Sequence, residues 1–145
     1  MLIENKSIEK ICSFYVSDFH LEMILMPYIN KELEENKNII IKTEKNLKDT
    51  VEILVSKMNL NDANKERILN LDWNNEFNKK ANNNSDVIVI GSEKYINDIN
   101  SEIKNENIEN VKIIDCYNFN DVKDNMNKII EFHDKSLNTM GIQKV

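Results

Sequence analysis

The stretch Ile11-Cys12-Ser13-Phe14-Tyr15-Val16-Ser17-Asp18-Phe19-His20-Leu21-Glu22 decides the fold class of this chain. A largely apolar run ends at Ser17, and from Asp18 onward the apolar residues follow a helical pattern. A strand that runs directly into a helix is the unit from which α/β sheets are built. No glycine lies at this junction, and the chain holds only two, Gly91 and Gly141. The sequence therefore lacks the glycine loop that cradles phosphate in nucleotide-binding folds.

Apolar patterning along the chain predicts five strand–helix units. The first strand is followed by a helix from Asp18 to about Asn36, and Pro27 within it predicts a kink or a late helix start. The polar segment 74–86 is typical of a loop. The predicted strands are residues 11–17, 39–43, 68–72, 87–90 and 111–116, and the later helices begin at Asn46, Ser92 and Asp121. The last helix is predicted to carry Val122, Met126, Ile129, His133, Leu137 and Met140, and to end at Gly141.

These alternating units predict an α/β fold: a three-layer sandwich with a mostly parallel five-stranded sheet. One domain spanning 1–145, with a core of about 8–140, accounts for the whole length. The run Val87-Ile88-Val89-Ile90 is continuous and β-branched, which is typical of a strand covered on both faces. We therefore expect that strand to be central in the sheet.

Composition excludes several functional classes. The chain has 145 residues and a net charge of −6, whereas nucleic-acid binding needs clustered cations. Arg67 is the only arginine among 19 basic residues, so bidentate forks for phosphate are nearly absent. No apolar run approaches the length of about 20 residues that spans a membrane. The N-terminus also lacks the apolar segment of a secretion signal, and we expect a cytoplasmic protein.

Cysteine and histidine are sparse. Cys12 and Cys116 lie in apolar strand-like runs, no CxxC pair exists, and the only histidines are His20 and His133. We expect both cysteines to be buried, reduced thiols, and we expect no metal and no cofactor.

The residues that follow the predicted strands are the candidates for a ligand site. Ligands of open parallel sheets bind beyond the carboxyl ends of the strands. The candidates at those ends are Asp18, His20, Asp72, Trp73, Ser92 and Tyr117. Four of these candidates also have a structural alternative. Asp18 can cap a helix, His20 and Trp73 can be packing residues, and Ser92 can cap the helix it precedes.

The residues at these strand ends do not match the motifs of three active protein families. A P-loop NTPase and a dinucleotide-binding Rossmann domain both need glycine loops that are missing. A phosphoacceptor receiver domain is closer, because Asp72 and Ser92 stand where its acceptor and hydroxyl residues would. It also needs an acidic pair after the first strand and a lysine after the fifth, and here only Asp18 is present. Phosphoryl transfer would lack its charge neutralisation.

The run Ile11-Cys12-Ser13-Phe14-Tyr15, the helix containing Pro27-Tyr28-Ile29 and Leu33, and the segments 39–41 and 68–71 together resemble the start of a MEDS domain. Residues 111–117 resemble its closing strand. This methanogen and methylotroph sensory family implies a RecA/Rossmann-like fold without a P-loop, and a sensory role. The chain departs from the pattern at Lys10-Ile11, where the family often has a histidine, and at 34–37, where it usually has glycines.

We therefore expect a non-catalytic regulatory or sensor module that acts through a protein partner, with a small ligand at the strand ends as an option. The alternative is a small enzyme or degenerate receiver that uses Asp18, His20 and Asp72. The first helix carries more apolar residues than one sheet-facing stripe requires. The surplus predicts self-association or a partner contact through Met23, Met26 and Tyr28, with the last helix as the intramolecular alternative.

Overall fold

The computed structural model describes residues 8–145 and contains one mixed sheet with helices on both faces. The single-domain prediction and the predicted absence of a secretion signal both include residues 1–7, which lie outside the described residues. The strands are β1 (Ile8–Tyr15), β2 (Asn38–Thr43), β3 (Ser85–Ile90), β4 (Val111–Asn118), β5 (Lys135–Asn138) and β6 (Gly141–Lys144). The helices are α1 (Asp18–Glu34), α2 (Lys48–Ser56), α3 (Asp62–Leu69), α4 (Glu93–Asn105), α5 (Phe119–Val122) and α6 (Met126–Glu131).

The sheet is six-stranded in the order β2-β3-β4-β1-β5-β6. The first five strands in this order pair in parallel, and only β5 and β6 pair antiparallel. The predicted mostly parallel α/β sandwich is confirmed, with six strands in place of five. β3 lies between β2 and β4 and all six of its residues are buried, as its β-branched run predicts. The two middle strands of the sheet are β4 and β1, so β3 lies one strand away from the middle.

Two apolar layers cover the sheet. On one face, α1, α2 and α3 pack over residues such as Ile11, Ile41 and Ile88. On the other face, α4, α5 and α6 pack over residues such as Val87, Val89 and Ile113. Strands buried on both faces carry nearly continuous apolar runs, which is why these segments are recognisable in the sequence.

The predicted strand 68–72 is wrong. Ile68 belongs to α3, which starts after Asn61, whose side chain accepts a hydrogen bond from the Asn64 N–H. The apolar residues that suggested a strand form the end of a helix and the loop after it. Ile68 packs into the core there, and Trp73 closes the loop by donating its indole N–H to the Ile68 carbonyl at 2.7 Å.

The predicted last helix is also wrong beyond α6. Two short helices cross over the sheet, and the chain then forms the β5–β6 hairpin. β5 completes the sheet beside β1, where the Ser13 hydroxyl donates to the Leu137 carbonyl at 2.8 Å. Gly141 starts β6 with a φ of 104°, so it serves the hairpin turn and does not end a helix. β1 has a free edge on the side away from β4, and pairing of β5 with that edge is favoured over continuing the helix.

The fold itself buries most of the apolar residues of α1 that exceed one sheet-facing stripe. It begins after Ser17, whose side chain caps it by accepting from the His20 N–H, so Asp18 is not the cap. Met26 and Tyr28 are buried within their own chain, whereas Met23 is 45% exposed. Two of the three predicted partner-contact residues are therefore core residues. Pro27 lies inside the helix, which still runs from Asp18 to Glu34.

Asparagine supplies the left-handed backbone positions that glycine usually fills. Asn36 has a φ of 61° immediately after α1, and the Lys37 N–H donates back to the Glu32 carbonyl at 2.9 Å. Asparagine adopts this conformation more readily than other residues with side chains. The same conformation recurs at Asn75, Asn78, Asn84, Asn107 and Asn110. A chain with two glycines can therefore still make tight turns.

No helix among residues 8–145 is long and apolar enough to cross a membrane.

Candidate functional site

The carboxyl ends of the strands form the crevice in which the sequence predicts a ligand. It has a volume of about 330 Å³. Its lining residues are Tyr15, Glu44, Lys45, Gly91, Ser92, Asn118 and Asp121. Of the six predicted site residues, only Ser92 lines it.

A carboxylate of the protein itself occupies the position in this crevice where an anion would bind. Ser92 caps α4 by accepting from the Tyr95 N–H, and its own N–H donates to the Glu44 carboxylate at 2.8 Å. A phosphate bound at the start of α4 would need that N–H and the positive end of the helix. Gly91 makes room for this contact, because a Cβ there would lie 2.8 Å from Glu44 Oε1. Glu44 thus takes the place of a bound phosphate.

The basic side chain of the crevice is also engaged. Lys45 Nζ lies 2.5 Å from Asp18 Oδ1 and 5.2 Å from the centre of the Tyr15 ring. With Glu44 and Asp121 also present, the crevice carries more negative than positive charge. A nucleotide phosphate would meet like charge there.

The residues of the enzyme alternative make separate hydrogen bonds. Asp18 pairs with Lys45, and the His20 ring accepts from the Val16 N–H at 3.0 Å. Asp72 follows α3 and not a strand, and it accepts from two backbone N–H groups of the next loop, at 2.7 and 3.1 Å. No hydrogen bond among the described residues joins any two of the three side chains. Trp73, the predicted stacking platform, is buried in the core.

A different buried cluster has the geometry of a site. Asp115 lies in the middle of β4, between Cys12 of β1 and Val89 of β3, and is fully buried. Its carboxylate accepts from Lys10 Nζ at 2.5 Å and from Asn100 Nδ2 at 2.9 Å. Lys10 also donates to the Asn100 side-chain oxygen. A buried carboxylate is stable only when it is paired and hydrogen-bonded in this way.

His133 completes the cluster from the segment between α6 and β5. Its Nε2 lies 2.8 Å from Asp115 Oδ2, the oxygen that also accepts from Lys10, and its Nδ1 lies 2.6 Å from the Ile129 carbonyl oxygen. Both ring nitrogens therefore face oxygen atoms, and these two contacts hold the ring beside Asp115. We call Lys10, Asn100, Asp115 and His133 the Asp115 cluster.

The Asp115 cluster borders a cavity of about 320 Å³ between α4 and α6, which we call the α4–α6 cavity. Its lining combines the cations Lys10 and Lys128 with three amide side chains and three rings, of which Phe132 is exposed and the other two are buried. The lining residues are Lys10, Glu93, Asn97, Asn100, Tyr117, Asn125, Lys128, Ile129, Phe132 and His133. In the described part of the chain, Glu93 is the only acidic residue that lines the cavity, and it accepts a hydrogen bond from the Asn125 amide at 2.9 Å. Tyr117 is the only predicted site residue here.

Neither Cys12, which pairs with Asp115 across β1 and β4, nor Tyr117 in the cavity wall is activated as a nucleophile. Burial raises the pKa of the Cys12 thiol from 9.0 to about 11, which keeps it protonated. Burial and the neighbouring Asp115 charge also raise the pKa of the Tyr117 phenol. Cys12 and Cys116 are both buried and unpaired with each other, as expected from the sequence. Within residues 8–145, no three His, Cys, Asp or Glu side chains cluster so that they could hold a metal ion.

The sequence interpretation missed all four members of the Asp115 cluster. Lys10 precedes the predicted first strand, and His133 was assigned to a helix face. Asp115 is the residue from which the site could have been recognised, because it is the single acidic residue in the apolar run 111–117. A carboxylate in a strand buried on both faces needs cationic or amide partners. Which residues those partners are depends on the pairing of β1 with β4, which the sequence does not specify.

Comparisons of the chain with protein-family models, with curated proteins and with solved structures find no match. The geometry of the two cavities is therefore the basis for a functional proposal.

Proposed function

We propose that this chain is a non-catalytic regulatory or sensor module that binds a small anionic molecule in the α4–α6 cavity and acts through a protein partner. The observation that carries this proposal is the buried Asp115 carboxylate, held by Lys10, Asn100 and His133 at the wall of a 320 Å³ cavity. A buried charge network costs stability compared with apolar packing. Its position beside an open cavity supports a binding function.

The charge balance of the cavity supports an anionic ligand. Lys10 and Lys128 are two cations of the lining, and Lys10 also pairs with Asp115. Among residues 8–145, Glu93 is the one acidic residue of the lining. The amides of Asn97 and Asn125 add donors and acceptors for a polar ligand.

The absence of an activated nucleophile supports binding over catalysis. The Cys12 thiol is kept protonated by a pKa of about 11, and the Tyr117 phenol also keeps its proton. The enzyme alternative needs Asp18, His20 and Asp72 to act together, and each bonds elsewhere. The resemblance to MEDS sensory domains favours the same interpretation.

The Asp115 cluster is joined to the β1–β5 edge of the sheet. The Asp134 N–H donates to the Lys10 carbonyl at 2.7 Å, and the Lys10 N–H donates to the Asp134 carboxylate at 2.9 Å. Residues 133 and 134 lead directly into β5. A ligand that draws Lys10 or His133 away from Asp115 would therefore change the contacts that hold β5 to β1.

The partner contact is proposed on the outer side of α1 and α2. Phe19, Met23 and Ile53 are exposed there by 61%, 45% and 58%. Phe19 and Met23 are four residues apart and lie on one face of α1. We propose a second copy of this chain as the partner, in the cytoplasm.

Native mass spectrometry of the protein purified from its own cells tests the ligand. We expect a co-purifying small molecule that is lost in Lys10→Met and kept in Lys94→Met, which alters an exposed lysine of α4. Circular dichroism must show both variants folded. A small molecule that is retained by a folded Lys10→Met variant would contradict the proposed site, and so would wild-type protein that carries none.

Sedimentation velocity tests the partner. We expect a dimer at micromolar concentration that Met23→Glu weakens, whereas Met140→Glu, at an 83% exposed position, leaves it intact. A monomer at all concentrations, or a dimer insensitive to Met23→Glu, would contradict this surface.

A further inference from the structure

A small cavity lies between α1 and α2, apart from the strand-end crevice and the α4–α6 cavity but beside the proposed partner surface, with which it shares Phe19 and Ile53. Its volume is about 140 Å³. Its lining residues are Phe19, Glu22, Thr50, Ile53, Leu54 and Lys57. Most of the wall is apolar, and among residues 8–145 Glu22 is the only carboxylate that borders it.

Glu22 is buried with one oxygen unpaired. The residue is 1% exposed, and the Thr50 hydroxyl donates to its Oε2. Within the described range 8–145, its Oε1 has no hydrogen-bond partner, although it is shielded from solvent. Glu22 also makes no ion pair with the basic side chains of residues 8–145. An unsatisfied buried acceptor is costly, and a charged one costs more.

We propose that this cavity binds an alkylammonium group, whose nitrogen donates to Glu22 Oε1 and whose hydrocarbon chain packs against Phe19, Ile53 and Leu54. The unpaired oxygen requires a donor, the uncompensated carboxylate requires a cation, and the apolar walls require a hydrocarbon body. An alkylammonium group combines all three properties. This inference goes beyond the ligand site of the proposed function, the α4–α6 cavity, and it concerns a cavity that shares Phe19 and Ile53 with the proposed partner surface.

The charges around Glu22 agree with a missing cation. Burial raises the pKa of the Glu22 carboxyl, the Thr50 hydrogen bond lowers it, and the nearby Asp18 charge raises it. Lys45 lowers it too, but Lys45 is already paired with Asp18 at 2.5 Å. Lys57 borders the cavity from the end of α2 without forming an ion pair with Glu22. Burial therefore disfavours the charged form of Glu22, and among residues 8–145 no basic side chain forms an ion pair with it.

A hydrocarbon amine tests the site on the intact protein. The probe is n-pentylammonium chloride, titrated at about pH 8, where a carboxylate is favoured, and followed by calorimetry. Two further probes separate the contributions: n-pentanol has the chain without the charge, and tetramethylammonium has the charge without a donor. We expect saturable binding of the amine, and binding at least about tenfold weaker for either comparison compound.

Variants assign the binding to Glu22. Glu22→Gln removes the charge and should weaken amine binding at least about tenfold. Glu52→Gln, at an exposed glutamate of α2, should not change it. Equal affinities for Glu22→Gln and wild type, or no preference for the amine over the alcohol, would overturn the proposal. A circular-dichroism melt of each variant identifies loss of fold, and Ile53→Glu supplies a second test, because it disrupts the apolar wall at an exposed position.

The same experiment distinguishes two sources of the ammonium group. If the natural occupant is a lysine side chain of a second copy, pentylammonium will convert a sedimenting dimer into monomer. If it is a free amine, the sedimentation coefficient will not change while calorimetric binding persists. Both results support the alkylammonium site, and the absence of calorimetric binding overturns it whether or not the α4–α6 cavity binds a ligand.

Discussion

Replacing Asp115 with asparagine should destabilise this protein far more than a change to an exposed carboxylate. The substitution keeps the shape of the side chain and removes the one negative charge that Lys10 and His133 share. It also places an amide group where the carboxylate accepts their hydrogen bonds. Removing one partner of a buried ion pair costs about 3–5 kcal/mol. For a chain of this length, that loss lowers the melting temperature by roughly 10 °C.

The matched control is Asp98→Asn. Asp98 pairs with Lys94 on the exposed side of α4 at 2.9 Å, and both side chains are mostly exposed. Such surface pairs contribute at most about 1 kcal/mol. Urea unfolding monitored by circular dichroism gives both free energies of unfolding. If Asp115→Asn costs no more than Asp98→Asn, the Asp115 cluster is not an ion-pair network and the reasoning fails.

A double-mutant cycle isolates the pair term in the same assay. Lys10→Met in the Asp115→Asn background should cost less than Lys10→Met alone, because the partner charge has already been removed. Additive losses would show that Lys10 and Asp115 do not interact.

Three further outcomes can be measured on the purified protein. Burial and the adjacent Asp86 carboxyl raise the pKa of the Glu32 carboxyl from 4.5 to about 7, so the folded state binds that proton more tightly than the unfolded chain. Stability should therefore fall as pH rises from about 4.5 to about 7, by at most about 3 kcal/mol, and Glu32→Gln should flatten this part of a urea-unfolding profile. An unchanged profile would contradict the shift. ATP with Mg²⁺ should show no micromolar binding in calorimetry because Glu44 occupies the Ser92 N–H, and measurable binding would refute that assignment. Iodoacetamide should label Cys12 only when the protein unfolds, because burial holds its pKa near about 11, and labelling of the native protein at neutral pH would contradict its burial.

The sheet was predictable where the apolar runs are long. β2, β3 and β4 were recognisable because most of their residues are buried and each contains an apolar run. β1 is buried at residues 11–13 and 15 and was recognisable from the apolar residues there. The run Ile68–Leu71 was not predictable, since a short apolar run fits a helix end as well as a strand. The β5–β6 hairpin was missed because Leu137 and Met140 also fit a helical stripe, and only the open edge of β1 favours strand pairing there.

The candidate site was less predictable than the fold. Prediction placed it at the strand ends, where parallel sheets bind ligands, but in that crevice Glu44 accepts from the Ser92 N–H and Asp18 pairs with Lys45. The Asp115 cluster draws on β1, α4, β4 and the segment before β5. Residues 10 and 133 meet only through the order of the strands in the sheet. Local sequence patterns do not contain that order.

A crystal structure of the protein purified directly from its own cells, without added ligand, tests the central claim most directly. The account predicts electron density for a small anionic molecule in the α4–α6 cavity, within hydrogen-bonding distance of Lys10 Nζ or Lys128 Nζ. Density for a ligand in the strand-end crevice beside Ser92, with the α4–α6 cavity holding water alone, would contradict it.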